Sequence, residues 1–68
     1  MFLIRTKSGG SNVSINMDNA EWYESAGDRT IVYMKSGTNI TLDIDRDALD
    51  RILMRSNKSE VVYDVFQN

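Results

Sequence analysis

Residues 30–53 read TIVYMKSGTNITLDIDRDALDRIL, and the spacing of their apolar side chains changes once. Up to Ile44 apolar and polar residues alternate on either side of Lys35-Ser36-Gly37-Thr38-Asn39, which predicts a β-hairpin with Ile40, Leu42 and Ile44 on one face. Beyond Asp45 the period becomes that of a helix, predicted from Arg46 to about Ser56. Its apolar stripe is Ala48 or Leu49, then Ile52 and Leu53. Asp45 is a good N-cap residue, and Ile44 before it can pack on Leu49 as a hydrophobic staple. Arg46 with Asp50 and Asp47 with Arg51 put opposite charges four apart on the solvent side. Asn57 supplies a stop.

The N-terminal part repeats this plan. An apolar run at Phe2 to Ile4 leads to TKSGGSN, a hairpin turn, and alternation resumes at Val13, Ile15 and Met17. KSGGSNVSINMD (7–18) and KSGTNITLDID (35–45) agree in residue class at each position once one Gly is dropped. Two hairpins that solve one turn problem with the same residues explain this agreement without a duplication. The final EVVYDVF reads as a strand apolar on both faces, with Val61, Tyr63 and Val65 on one and Val62 and Phe66 on the other. With no linker and no Pro, residues 1–68 make a single domain. The predicted fold class is α+β: a small antiparallel sheet of about five strands, two similar hairpins plus a C-terminal strand, with one short helix. One such helix covers one face of the sheet. Ile31, Tyr33, Leu3 and one face of the last strand remain to be covered, and a second copy of the chain would do so. The predicted homo-oligomer interface is therefore Ile31, Tyr33, Val62 and Phe66.

Composition points the same way. A domain of 68 residues buries about 60% of its unfolded surface, and small domains offset such a marginal core with disulfides, a metal or self-association. This chain has neither Cys nor His, so self-association is what remains, and zinc sites built from those residues are excluded. A net charge of -2 argues against binding of phosphate backbones, and nucleic acid ranks last among partners. No apolar run is long enough to span a membrane. MFLIRTKS is too short an apolar run for a secretory signal, so the expected location is the cytoplasm of a bacterial cell or a phage-infected host. Asn12, Asn39 and Asn57 stand in Asn-x-Ser/Thr sequons, read as turn and strand-end residues.

Few residue groups carry chemistry. DIDRDALD opens as a calcium loop does, with Asp43, Asp45 and Asp47, but its sixth place holds Ala48 where Gly is needed and its twelfth Met54 where Glu is needed. Metal binding is not expected, nor any cofactor. Without His or Cys the usual general base and thiol nucleophile are missing, so no enzyme is expected. The turns offer more, because successive backbone N–H groups there can cradle an anion. If the symmetry of an oligomer brought Lys7, Lys35, Arg5 or Arg29 near an exposed aromatic, the subunit interface would hold a site for a small anionic, nucleotide-like ligand, with Trp22 and Tyr23 as the aromatics. In INMDNAEWYES (15–25) the alternation is reset near Asp18, and inward positions then fall at Ala20 and Tyr23. Trp22 either faces outward toward a partner or fills a contact with Met17.

INMDNAEWYE, TIVYMKSGTNITLDI and LDRIL, together roughly residues 13–53, resemble the FlbD-like flagellar family. Its members run as a strand ending in Ile-Asn-x-Asp, an apolar pair three apart, a strand, an Asn-Gly or Asp-Gly turn, another strand and a short helix. The chain is also similar to a diffuse set of small phage and bacterial proteins that share an INxDN opening and a later Gly turn. It departs from the FlbD-like pattern at Ala20 and Tyr23, where that family has aliphatics, and in its C-terminal SEVVYDVFQN. Neither resemblance implies an enzyme, and the compact format looks like a phage accessory protein. The expected function is a non-enzymatic, self-associating binding module of phage type that sequesters a small anionic nucleotide-like ligand or blocks a host protein. For the host protein the candidate patch is acidic: Asp43, Asp47, Asp50 and Glu21 or Glu24. The alternatives are a flagellar-type regulatory or scaffold protein and, last, a nucleic-acid-binding protein.

Overall fold

A computed structural model describes residues 2–55 and 62–65 of the chain. Strands β1 (Leu3–Ser8) and β2 (Ser11–Asn16) form the first hairpin, and a 3-10 turn at Met17–Asn19 leads to β3 (Ala20–Ala26). Then follow β4 (Arg29–Met34), β5 (Asn39–Leu42), α1 (Arg46–Arg55) and β6 (Val62–Asp64). The fold is α+β, with an antiparallel pair β1–β2, an antiparallel triplet β3–β4–β5 and one helix. This corrects the expectation of a single sheet of about five antiparallel strands. The order is β2-β1-β6 in one sheet and β3-β4-β5 in the other, and β6 lies parallel to β1. Alternation along a strand says which side chains share a face, but not which strand lies beside it.

The strand missing from the expected set is β3. Its register runs Ala20↔Met34 and then Trp22↔Tyr33, so Glu21 is an extra residue in a β-bulge. The bulge makes the inward spacing three at that point: Ala20 and Tyr23 are both half-buried against the core. A period-2 search does not see such a strand. The turn before it also differs in detail from the repeat, because Asn16 is the cap, its side chain accepting from the Asp18 N–H at 3.0 Å.

The helix begins where the sequence places it. Asp45 Oδ1 accepts from the Ala48 N–H at 2.8 Å, and the Asp45 carbonyl accepts from Leu49 at 3.1 Å. Arg46 meets the adjacent Asp47 at 3.9 Å, while Asp50, expected to pair with Arg46, takes a hydrogen bond from Tyr23. Leu49 and Ile52 turn into the core, and Ile44 and Leu53 pack at its margin.

Ile4 and Ile15 from the first sheet, Val32 and Leu42 from the second, and Leu49 and Ile52 from α1 form the core. Two threonines are buried among them, Thr6 and Thr30, and Thr30 Oγ1 donates to the Ile44 carbonyl at 2.8 Å. The sheets are joined at one corner, where the Asp43 N–H donates to the Lys7 carbonyl at 2.8 Å and Ser8 Oγ donates to the Thr41 carbonyl. Among the described residues no helix is long and apolar enough to cross a membrane.

Candidate interaction face

Directly opposed residues of antiparallel strands share a face, so the registers assign both sides of the β3–β4–β5 sheet. Tyr23↔Val32↔Ile40 and Ser25↔Thr30↔Leu42 lie on the inner side, which faces the core, although Ser25 at the strand end is exposed. Trp22↔Tyr33↔Asn39, Glu24↔Ile31↔Thr41 and Ala26↔Arg29 point outward. The helix packs against β3 and β4 from the inner side through Tyr23, whose hydroxyl donates to Asp50 Oδ1.

On the outer side Trp22 is 50% exposed and stacked on Tyr33, with ring centroids 4.1 Å apart and planes at 12°. Cross-strand aromatic pairs of this kind stabilise a sheet. Tyr33 then donates its hydroxyl proton to Glu24 Oε2 at 2.6 Å, which fixes a carboxylate beside the rings. That hydrogen bond, together with partial burial and the carboxylate's charge, raises the Tyr33 hydroxyl above its ordinary pKa. Ile31 lies half-buried between this aromatic end and Arg29 at the hairpin end. Trp22 and Tyr23 point to opposite sides of the sheet. Both border a recess of about 150 Å³ at the bulge, with Met17 and Leu53 behind them.

The four cations do not gather at the aromatic pair. Arg5 lies in the other sheet, 3.8 Å from Asp64. Arg29 Nε is 3.8 Å from Asp43 Oδ1, and the charge of Lys7 also bears on Asp43. Lys35 follows β4 and donates its backbone N–H to the Asn19 carbonyl at 2.8 Å. The anion cradle expected of the turns does exist, at Gly9 and Gly10. Both glycines have positive φ, +58° and +87°, a conformation that other residues adopt only with strain. Their N–H groups point at one carboxylate, that of Asp43, at 3.1 and 2.9 Å from Oδ1 and Oδ2. These two hydrogen bonds, Gly10's first, hold the Asp43 carboxyl below the usual range, with help from the charges of Arg29 and Lys7. The chain therefore supplies its own anion there.

Several carboxylates of the expected acidic patch are engaged separately, Asp50 by the Tyr23 hydroxyl and Glu24 by that of Tyr33. Asp43 closes the turn, Asp45 caps the helix and Asp47 lies beside Arg46. Among the described residues no three carboxylates come together as a ligand set for a metal. A cleft of about 340 Å³ opens between the edges of β2 and β5, lined by residues such as Asn16, Met34 and Ile40, none of them charged. Of the expected interface residues, Ile31 and Tyr33 are on the outer face described above. Val62 pairs with Leu3 through the backbone, and Phe66 lies outside the described residues.

Two members of the outer face escape the sequence reading in these roles. Tyr33 is visible there only as an uncovered apolar residue, and Glu24 only as one charge of an acidic patch. Their bond follows from the bulge, which shifts β3 by one residue against β4. No family model matches the chain, and neither a curated protein nor a solved structure resembles it significantly.

Proposed function

We propose that the protein is a small non-enzymatic binding module that works by protein contact through the outer face of the β3–β4–β5 sheet. The carrying observation is the Trp22–Tyr33 pair, half-exposed on a sheet face that α1 does not cover. Large aromatics contribute most to protein interfaces, and a stacked pair is already ordered before the partner arrives, so little side-chain entropy is lost on contact. Glu24 next to the rings and Ile31 behind them give the apolar centre and polar rim of a binding patch. Capture of a small anionic ligand is less well supported. It needs cations beside the aromatics, whereas within one chain Arg5 and Arg29 approach carboxylates elsewhere, and the Gly9–Gly10 cradle, the anion site of the turns, already holds Asp43.

Trp22→Ala tests this reading. Binding of a protein partner, a second copy included, should weaken at least about tenfold, while stability falls by only about 1 kcal/mol from the lost ring stacking. The check is quantitative binding by surface-immobilised wild type and variant, with urea unfolding alongside. Unchanged binding with a large loss of stability would place the importance of Trp22 in folding instead.

A further inference from the structure

We propose that this face packs against the same face of a second copy about a two-fold axis, each Arg29 lying on the other protomer's Trp22–Tyr33 pair beside Glu24. The inference rests on reading the face as a protein-contacting surface, and it names the partner and the contacts. Along β4 the outward residues are Arg29, Ile31 and Tyr33 in order. At about 3.3 Å per residue, Arg29 and Tyr33 stand about 13 Å apart with Ile31 midway. The face is thus polar along the strand, with a cation at the hairpin end, an aromatic pair at the other, and Glu24 beside Ile31 between them, its carboxylate drawn toward the rings by the Tyr33 hydroxyl.

A two-fold axis that runs across the strands at Ile31 reverses the strand direction of the partner. Ile31 then meets Ile31 of the partner subunit, and each cationic end falls on the opposite aromatic end. A two-fold interface requires just this reciprocity, in which one residue contacts another and the reverse contact recurs. The other in-plane axis, along the strands, would stack Arg29 on Arg29, and repulsion of the two guanidinium groups disfavours it.

The side chains are suited to the contact. Arg29 is 56% exposed and its approach to Asp43 is long, 3.8 Å from Nε, which leaves the guanidinium plane accessible. Guanidinium groups stack on Trp and Tyr faces, and desolvation strengthens the attraction. Glu24, already oriented by the Tyr33 hydroxyl, supplies a carboxylate for the same cation. The arrangement covers Trp22, the large exposed aromatic among the described residues, and gives a chain of 68 residues without Cys the second cover that its short helix does not provide.

A charge exchange tests the geometry by sedimentation velocity, with circular dichroism as the control for folding. Wild type should dimerise in a concentration-dependent way, and Arg29→Glu and Glu24→Arg should each weaken the dimer at least about tenfold by opposing like charges. Mixed one to one, the two variants should recover a heterodimer, because Glu at 29 then faces Arg at 24 and the native Arg29 faces the native Glu24. The double variant should recover the homodimer. Trp22 is the sole tryptophan, so its emission should shift to the blue as the dimer forms. A mixture that associates no better than either variant alone overturns the proposed contacts. If Trp22→Ala also leaves the wild-type dimer unchanged, the reading of the face falls with them. A wild type that stays monomeric overturns the second copy as partner, and Trp22-dependent binding of a different protein would then leave the face reading standing.

Discussion

On the inner face of the β3–β4–β5 sheet Tyr23 donates its hydroxyl to Asp50 of α1, and on the outer face Tyr33 donates its own to Glu24 of the neighbouring strand. The chemistry is the same, a phenol on a carboxylate, and the consequences differ. The inner bond joins residues 27 apart in sequence and ties the helix to the sheet. The outer bond joins residues 9 apart on strands already paired, so it adds little to cohesion and mainly orients a carboxylate beside an exposed ring. The inner face lies against the core, with Val32 and Leu42 fully buried, while Trp22 and Ile31 remain partly open to solvent on the outer face. One face holds the molecule together and the other is prepared for contact.

The contrast is sharpest at residues that lie on adjoining strands. Leu42→Ala on the inner face should cost about 2–5 kcal/mol, the usual range for a fully buried leucine, and most of the stability of so small a domain. Ile31→Ala on the outer face should cost about 1 kcal/mol, since part of its surface is already in water. Urea titration of both variants checks this, and equal losses would break the assignment of the faces.

The tyrosines give the next largest effect. Tyr23→Phe should destabilise by about 1 kcal/mol, and Tyr33→Phe should leave the unfolding midpoint nearly unchanged. The Tyr23 hydroxyl is pushed up to about 12, first by burial and then by the hydrogen bond to Asp50 and its charge, while Arg46 opposes the shift. A raised pKa means that the stabilisation is full below the unfolded value near 10 and is lost as pH rises through about 12. Alkaline unfolding of Tyr23→Phe should therefore be shallower than that of wild type over that window. If Tyr33→Phe flattens the curve equally, the two faces are not distinguished in this way.

The smallest effect belongs to Asp43, at the corner where β5 leaves the outer face for the Gly9–Gly10 turn. Its carboxyl is held below the usual range, so its stabilisation is present above about pH 4 and is lost as pH falls through the depressed value. Asp43→Asn should flatten the acid branch of a thermal-melt series and leave the alkaline branch unchanged. An acid branch as steep as that of wild type would remove Asp43 as its cause.

The helix and both Lys-Ser-Gly turns are legible in the sequence because each depends on neighbours a few residues away. Asp45 caps its own helix, and the period of Leu49, Ile52 and Leu53 needs no distant partner. Strand β3 is much harder to see, because one bulged residue at Glu21 breaks the alternation that identifies strands. Division into two sheets is not legible either, since Ile4 and Val32 alternate in the same way whichever strand lies beside them. The anion cradle shows the limit most plainly. The turn residues point to a cradle, yet the group that fills it comes from Asp43, more than 30 residues along the chain.

Local spacing alone was enough to determine one helix with Leu49 and Ile52 on its apolar stripe, hairpins closed by glycine turns, and the common face of Ile40 and Leu42. Tertiary structure decided that Trp22 stacks on Tyr33, that Asp50 binds Tyr23 rather than Arg46, and that Asp43 occupies the cradle instead of an external anion. The reason is range. Periodicity and capping act within a turn or two of the chain, whereas each of these contacts depends on how strands distant in sequence are set side by side.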